Sequence, residues 1–160
     1  MLLALVTLQR VVELFWSRRN EQALRAQGAI EIGAGHYIYI VALHAAWLAA
    51  LWVKGWDQPL VWPFVWAFLV VEAGRAWVFW ALGSRWTARV LVVPGETLVR
   101  RGPYRFVRHP NYLVVSLEMV LLPLALGLPT LALVFGVLNL AMLWWRIRVE
   151  GRALNQMASR

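Results

Sequence analysis

Arg108-His109-Pro110-Asn111-Tyr112 sets a guanidinium, an imidazole and a phenol around a single proline. A residue before proline avoids the α region, and proline is favoured in the first turn of a helix. His109 therefore stands at or just before the start of a helix continuing through Leu128. Such a start has free N–H groups and a positive dipole end, a seat for a carboxylate or another anion. Just upstream lie Gly102-Pro103-Tyr104 and the cations Arg100, Arg101 and Arg105. The plainer reading of the stretch is a loop anchored by its arginines. Further on, Arg146-Ile147-Arg148-Val149-Glu150 puts Arg146 and Glu150 four apart on one helix face, where the plainer reading is a surface ion pair of little worth. Glu118, inside an apolar run, reads as facing a bundle interior or a polar cavity.

The elements that must position these groups are apolar. Of 160 residues 61% are hydrophobic, eleven are Trp and 15% are charged, so one domain is expected, and not a soluble one. The lack of period-2 alternation favours helices over a barrel. The expected fold is an all-α integral membrane protein of about five transmembrane helices, with a cytoplasmic cofactor pocket. The spans are about 1–16, 37–53, 60–82, 112–128 and 130–145, with a motif loop at 84–111 and a tail at 146–160. The last two spans form a helical hairpin broken at Gly127-Leu128-Pro129. Each of its arms covers about 24 Å, so it barely crosses, or dips in and returns.

Between the first two spans, Ser17 to Gly35 is polar, with a surface helix expected to end at Gly28. Leu91-Val92-Val93 reads as a short extended piece before a turn at Pro94-Gly95. Arg10 and Glu13 are three apart and able to pair, and Glu72 and Arg75 repeat the spacing. His36 and His44 lie two helical turns apart, too far to share one metal ion, and read as packing or hydrogen-bonding residues.

Charge fixes a topology. Thirteen of the sixteen basic residues fall in 17–35, 84–111 and the tail, which share one side if five spans alternate. By the positive-inside rule that side is cytoplasmic and the N-terminus is outside. Arginines clustered between apolar runs also argue against nucleic-acid binding, despite 16 basic against 8 acidic residues. With no cysteine there is no disulfide, thiolate zinc site or cysteine nucleophile. The first apolar run lacks a basic flank and a cleavage site, and reads as a span rather than a signal peptide.

Gly102-Pro103-Tyr104, Arg108-His109-Pro110-Asn111-Tyr112 and Arg146-Ile147-(two residues)-Glu150 resemble the isoprenylcysteine carboxyl methyltransferase family. The related phospholipid N-methyltransferases share a similar Arg-His-Pro core. Arg19-Asn20-Glu21, Gly28-Ala29, Gly33 and His36-Tyr37 look like the small bacterial branch, which is similar to alkylpyrone or phenolic-lipid O-methyltransferases. The resemblance implies S-adenosylmethionine-dependent methylation of a carboxylate or acidic hydroxyl on a lipid-like acceptor, leaving S-adenosylhomocysteine and calling for no metal or nucleic acid. It implies donor binding by Gly102, Pro103, Tyr104, Arg108, His109, Pro110, Tyr112 and Glu150, and catalytic roles for Arg146 and Glu150. The bacterial inner membrane is the implied location, with motif loop and C-terminus cytoplasmic. Two departures stand out: Gly151 replaces a second acidic residue, and Val114 occupies a position where glycine is common. The other readings are a phospholipid-type N-methyltransferase and a non-catalytic transport or scaffold protein. The resemblance names a chemistry more securely than an acceptor.

Overall fold

The computed structural model describes residues 1–96 and 99–158, except for the side chains of His36 and of residues 150–158. Five helices run alternately up and down: α1 (Leu2–Ala26), α2 (Ala34–Gly55), α3 (Trp62–Leu82), α4 (Pro110–Ala125) and α5 (Pro129–Ala158). Two three-residue strands, β1 (Ile30–Ile32) and β2 (Val90–Val92), pair antiparallel with Glu31 opposite Leu91. They tie the α1–α2 connection to the motif loop at the end of the bundle where the arginines gather.

The expected polar surface helix is not a separate element. α1 runs unbroken through Ser17 to Ala26, because nothing between Trp16 and Gln27 breaks a helix. Its inward residues, Leu3, Val6, Arg10, Glu13, Ser17, Asn20 and Leu24, follow three–four spacing, the seam of a helix packed on neighbours. From Arg10 to Asn20 that seam is polar, while Leu5, Leu8, Val12, Phe15 and Trp16 are exposed. Polar inside and apolar outside is the pattern of a helix surrounded by lipid, where interhelical hydrogen bonds hold the bundle and tails solvate the outside.

Among the described residues, three helical stretches are long and apolar enough to cross a membrane: Tyr37–Gly55, Trp62–Arg85 and Pro129–Val149. Five spans were expected, and the other two helices fall short for different reasons. α1 carries charges, and α4, with 16 residues, is about 24 Å long. The α4–α5 hairpin itself is as expected, turning at Gly127, whose φ of 67° suits glycine. Asn139 donates to Ser116 Oγ across it (3.1 Å), setting the register that later brings Arg146 beside Tyr112.

The core is layered along the bundle. At the end away from the motif loop, Leu3, Val6, Trp47, Leu51, Phe68, Met119, Leu122 and Leu126 pack together. At the motif end, Val78, Trp86 and Val114 form a smaller cluster with Tyr104. Between them sits a charged layer. Arg10 pairs with Glu13 (2.7 Å) and Glu118 (2.6 Å), Arg75 bonds both Glu13 and Glu118, and Gln9 Nε2 donates to Glu72 (2.7 Å) and Glu13 (3.0 Å). The Arg10–Glu13 pair suggested by spacing thus exists, but Arg75 spends its hydrogen bonds on α1 and α4. Glu118 faces the interior as expected, 1% exposed. His44 Nδ1 lies 2.8 Å from the Ile40 carbonyl, a hydrogen-bonded packing residue.

Candidate active site

The motif loop is folded onto the end of α3. Gly102 has φ 58°, and a Cβ there would stand 2.8 Å from Ala81 Cβ and 3.2 Å from Trp77 Nε1, so a side chain would be strained and would push the loop off α3. Arg101 Nε donates to the Ala81 carbonyl (2.8 Å), and Pro103 is buried. Tyr104 packs into the Val78–Trp86–Val114 cluster, and burial pushes its phenol up to about 12. Gly102-Pro103-Tyr104 is therefore a packed anchor that fixes where the following residues begin. Val114, at the place where glycine was the expectation, lies over Gly74 of α3, whose Cβ position is 3.7 Å from a Val114 methyl.

His109 is the N-cap of α4, and Pro110 is its first residue, as proline chemistry required. No side chain caps this terminus, so its dipole end remains available to a ligand. The exposed His109 ring stacks on Tyr112 with centroids 5.0 Å apart and planes within 1°. Over the Tyr112 ring, at 5.1 Å, stands the guanidinium of Arg146 from α5, a cation–π arrangement. Arg146 is 9% exposed and donates from Nη2 to the Ala88 carbonyl (3.1 Å). Arg148 instead lies exposed against Trp144, 3.7 Å from its ring. Arg146, not Arg148, is therefore the arginine of this segment that stands beside the α4 start. Arg108 is exposed at its edge. The expected partner Glu150 lies on α5 one turn beyond Arg146, with its side chain outside the described residues.

Asn111 is the residue that motif reading named without giving it a task. Its Oδ1 is buried and has no hydrogen-bond partner among the described residues, a costly state that a ligand donor would relieve. An asparagine inside a helix start beside two aromatic rings is the only sequence signal for it.

Residues 86–89 form the other wall. Trp86 is buried and stacked on Phe79 at 4.1 Å, and Asn20 Nδ2 donates to the carbonyls of Trp86 (2.8 Å) and Gly83 (3.3 Å). Ala88 N–H donates to Ser17 Oγ (2.9 Å), which donates to Glu21 (2.6 Å). Arg89 lies 4.1 Å over the Tyr37 ring and pairs with Glu31 and Glu21. Desolvation acts to raise the Glu31 carboxyl, but hydrogen bonds from Arg89 and Arg25 outweigh it and hold the group below the usual carboxylate range. Asn20, Glu21 and Tyr37, conspicuous in the sequence only through resemblance, thus have a physical function: they hold the 86–89 strip against α1 and α2.

The family profile described as the isoprenylcysteine carboxyl methyltransferase (ICMT) family matches residues 63–156, more than half of the chain and both motif segments. The chain belongs to the ICMT family. Its similarity also extends over most of the length of two bacterial relatives. The uncharacterised protein YpbQ of Bacillus subtilis is 38% identical over 98% of this chain and 96% of its own length. An uncharacterised Haemophilus influenzae protein is 28% identical over 92% and 90% respectively. No solved structure gives a significant match. Membership in a methyltransferase family, together with three helices able to span a bilayer, supports a membrane methyltransferase.

Proposed function

We propose that the protein transfers a methyl group from S-adenosylmethionine to a carboxylate or acidic hydroxyl on a lipid-like acceptor. One observation carries the reading: His109, Tyr112 and Arg146 meet at the uncapped start of α4, beside the buried and unpartnered Asn111 Oδ1. These residues fit the donor. When bound, S-adenosylmethionine supplies an electrophilic methyl on a sulfonium cation. The stacked His109 and Tyr112 rings offer a π surface suited to a cation, Asn111 Oδ1 accepts from an amine, and the α4 terminus faces a carboxylate. Glu150, one turn beyond Arg146, is assigned to the donor's ammonium group.

Arg146 is assigned to the acceptor. Its guanidinium, already oriented by the Ala88 carbonyl, positions an anionic oxygen for in-line attack, which needs an approach of about 3 to 3.5 Å. An oxygen that is already ionised needs no general base, so Arg146 has only to hold and orient it. A bundle with its basic end in the cytosol would place this site where the donor is dissolved.

Titrating the purified protein with S-adenosylhomocysteine tests the reading, with binding heat and a thermal shift expected; a flat titration sinks it. His109→Ala is expected to weaken that binding at least tenfold with helicity retained, and unchanged affinity would remove His109 from the site. Labelled methyl transfer into extracted lipid, followed by base hydrolysis, separates labile esters from stable ethers and N-methyl products.

A further inference from the structure

α1 and α2 meet at the end away from the motif loop, where Leu3 and Val6 cluster with Trp47 and Leu51, and Trp52 Nε1 donates to Thr7 (3.0 Å). Toward the arginine-rich end a cleft of about 320 Å³ lies between the two helices. Its upper lining is polar, from Ser17, Glu21, Tyr37 and Arg89. One turn deeper the lining is Leu14, Ile38 and Val41, all exposed. The cleft therefore grades from polar to apolar along the direction in which a membrane changes from headgroups to tails. Exposed apolar side chains are the rule on the lipid-facing helices; what sets this place apart is a concavity with convergent polar groups at one end, the make-up of a ligand site.

We infer that this cleft seats the head of the methyl acceptor, a single-chain amphiphile with one acidic oxygen, which enters from the bilayer between α1 and α2. The inference rests on the methyltransferase reading and adds to it a place, a size and the residues that select the acceptor. Size comes from the volume, near the lower limit of the roughly 300–1,000 Å³ of small-molecule sites. It accommodates a compact head, while the chain stays in the lipid along Leu14, Ile38 and Val41. Charge comes from the lining and its neighbours: Glu21 and Glu31 are matched by Arg89 and by Arg25, which pairs Glu31, so exposed Arg18 at the rim is left as one further cation. That balance suits a head with a single negative charge. The Tyr37 hydroxyl, which makes no hydrogen bond among the described residues, is the donor left to recognise it. Ala88 joins the cleft to the motif site, its N–H bonded to Ser17 of the cleft and its carbonyl receiving Arg146.

The test is photolabelling in phosphatidylcholine nanodiscs with a long-chain fatty acid carrying a diazirine, read by peptide mass spectrometry. Labels are expected on the peptides holding Leu14, Ile38 and Val41, and filling the cleft by Ile38→Trp is expected to cut them at least fivefold. Labels spread evenly over all helices, or indifferent to the substitution, overturn the inference. A diazirine phosphatidylcholine that labels the same positions as strongly overturns the single-chain claim. Val41→Trp is the second variant should Ile38→Trp not fold, and retained S-adenosylhomocysteine binding certifies the fold of either. Labelling needs no turnover, so the two readings fail separately. Lost labelling with S-adenosylhomocysteine bound removes the cleft, whereas labelling without any such binding removes the methyltransferase.

Discussion

Two residues show how local chemistry is enforced by packing. Tyr104 is held neutral by burial, with its phenol raised to about 12 against an ordinary value near 10. Because the folded value is the higher one, the group's contribution to stability is complete below pH 10 and is lost as pH climbs from there through 12. Phenolate absorbance of the wild type minus that of Tyr104→Phe should therefore titrate with a midpoint near 12; a midpoint near 10 would mean that the ring is open to water. Gly102 illustrates the opposite constraint, where a missing atom matters. Gly102→Ala is expected to cost about 1–2 kcal/mol, combining an unfavourable left-handed backbone with a close approach to Ala81. The substitution should also weaken S-adenosylhomocysteine binding, because the loop leading to His109 is displaced. A variant as stable and as avid as the wild type would contradict the anchoring function given to this turn.

Among the elements, α1 depends most on polar contacts. Its seam meets α3 and α4 through Arg10, Glu13, Arg75 and Glu118, and reaches the 86–89 strip through Ser17 and Asn20. Removing one member of a buried ion pair strands its partner, which costs about 3–5 kcal/mol, more than the pair itself contributes. Glu118→Gln is expected to destabilise the protein by about 3 kcal/mol in detergent unfolding. The double variant Arg75→Met/Glu118→Leu should lose less than the sum of its parts, because neither charge is left alone. Additive losses would show that the two side chains act independently. The same layer also accounts for the order of the bundle: only one vertical position of α1 aligns three carboxylates with two guanidiniums.

At the scale of the whole molecule, the exposed tryptophans mark two belts. Trp56, Trp62 and Trp66 lie at one end, and Trp16, Trp77, Trp80 and Trp144 at the arginine-rich end, as indole rings do at the two faces of a bilayer. With thirteen basic residues in the segments of the second end, a reporter fused after Arg160 should be active only as a cytosolic reporter, and one fused before Met1 only as an exported reporter. The reverse pattern would invert the orientation and put the proposed donor site on the side away from the cytosol. The α1–α2 cleft lies beside Trp16 of the arginine-rich belt, and the motif site lies at the same end; under the proposed function, the acceptor would come from the bilayer and the donor from the aqueous side.

Much of this was determined by the sequence alone, wherever the governing physics is local. Proline before Asn111 starts α4 at one residue, Gly127 ends the helix before it, apolar length defines α2, α3 and α5, and arginine distribution sets one end apart from the other. Spacing also showed that Arg10 and Glu13 could pair, and the apolar run around Glu118 turned that residue toward the interior. What spacing does not contain is the partner. That Arg75 bonds α1 and α4, that Asn20 holds the carbonyls of Gly83 and Trp86, and that Arg146 stands between Tyr112 and Ala88 follow from the register of helices packed against one another. The α1–α2 cleft belongs to the same class. A cavity is the space that packing leaves over, so only the tertiary structure decided where it lies and which side chains line it.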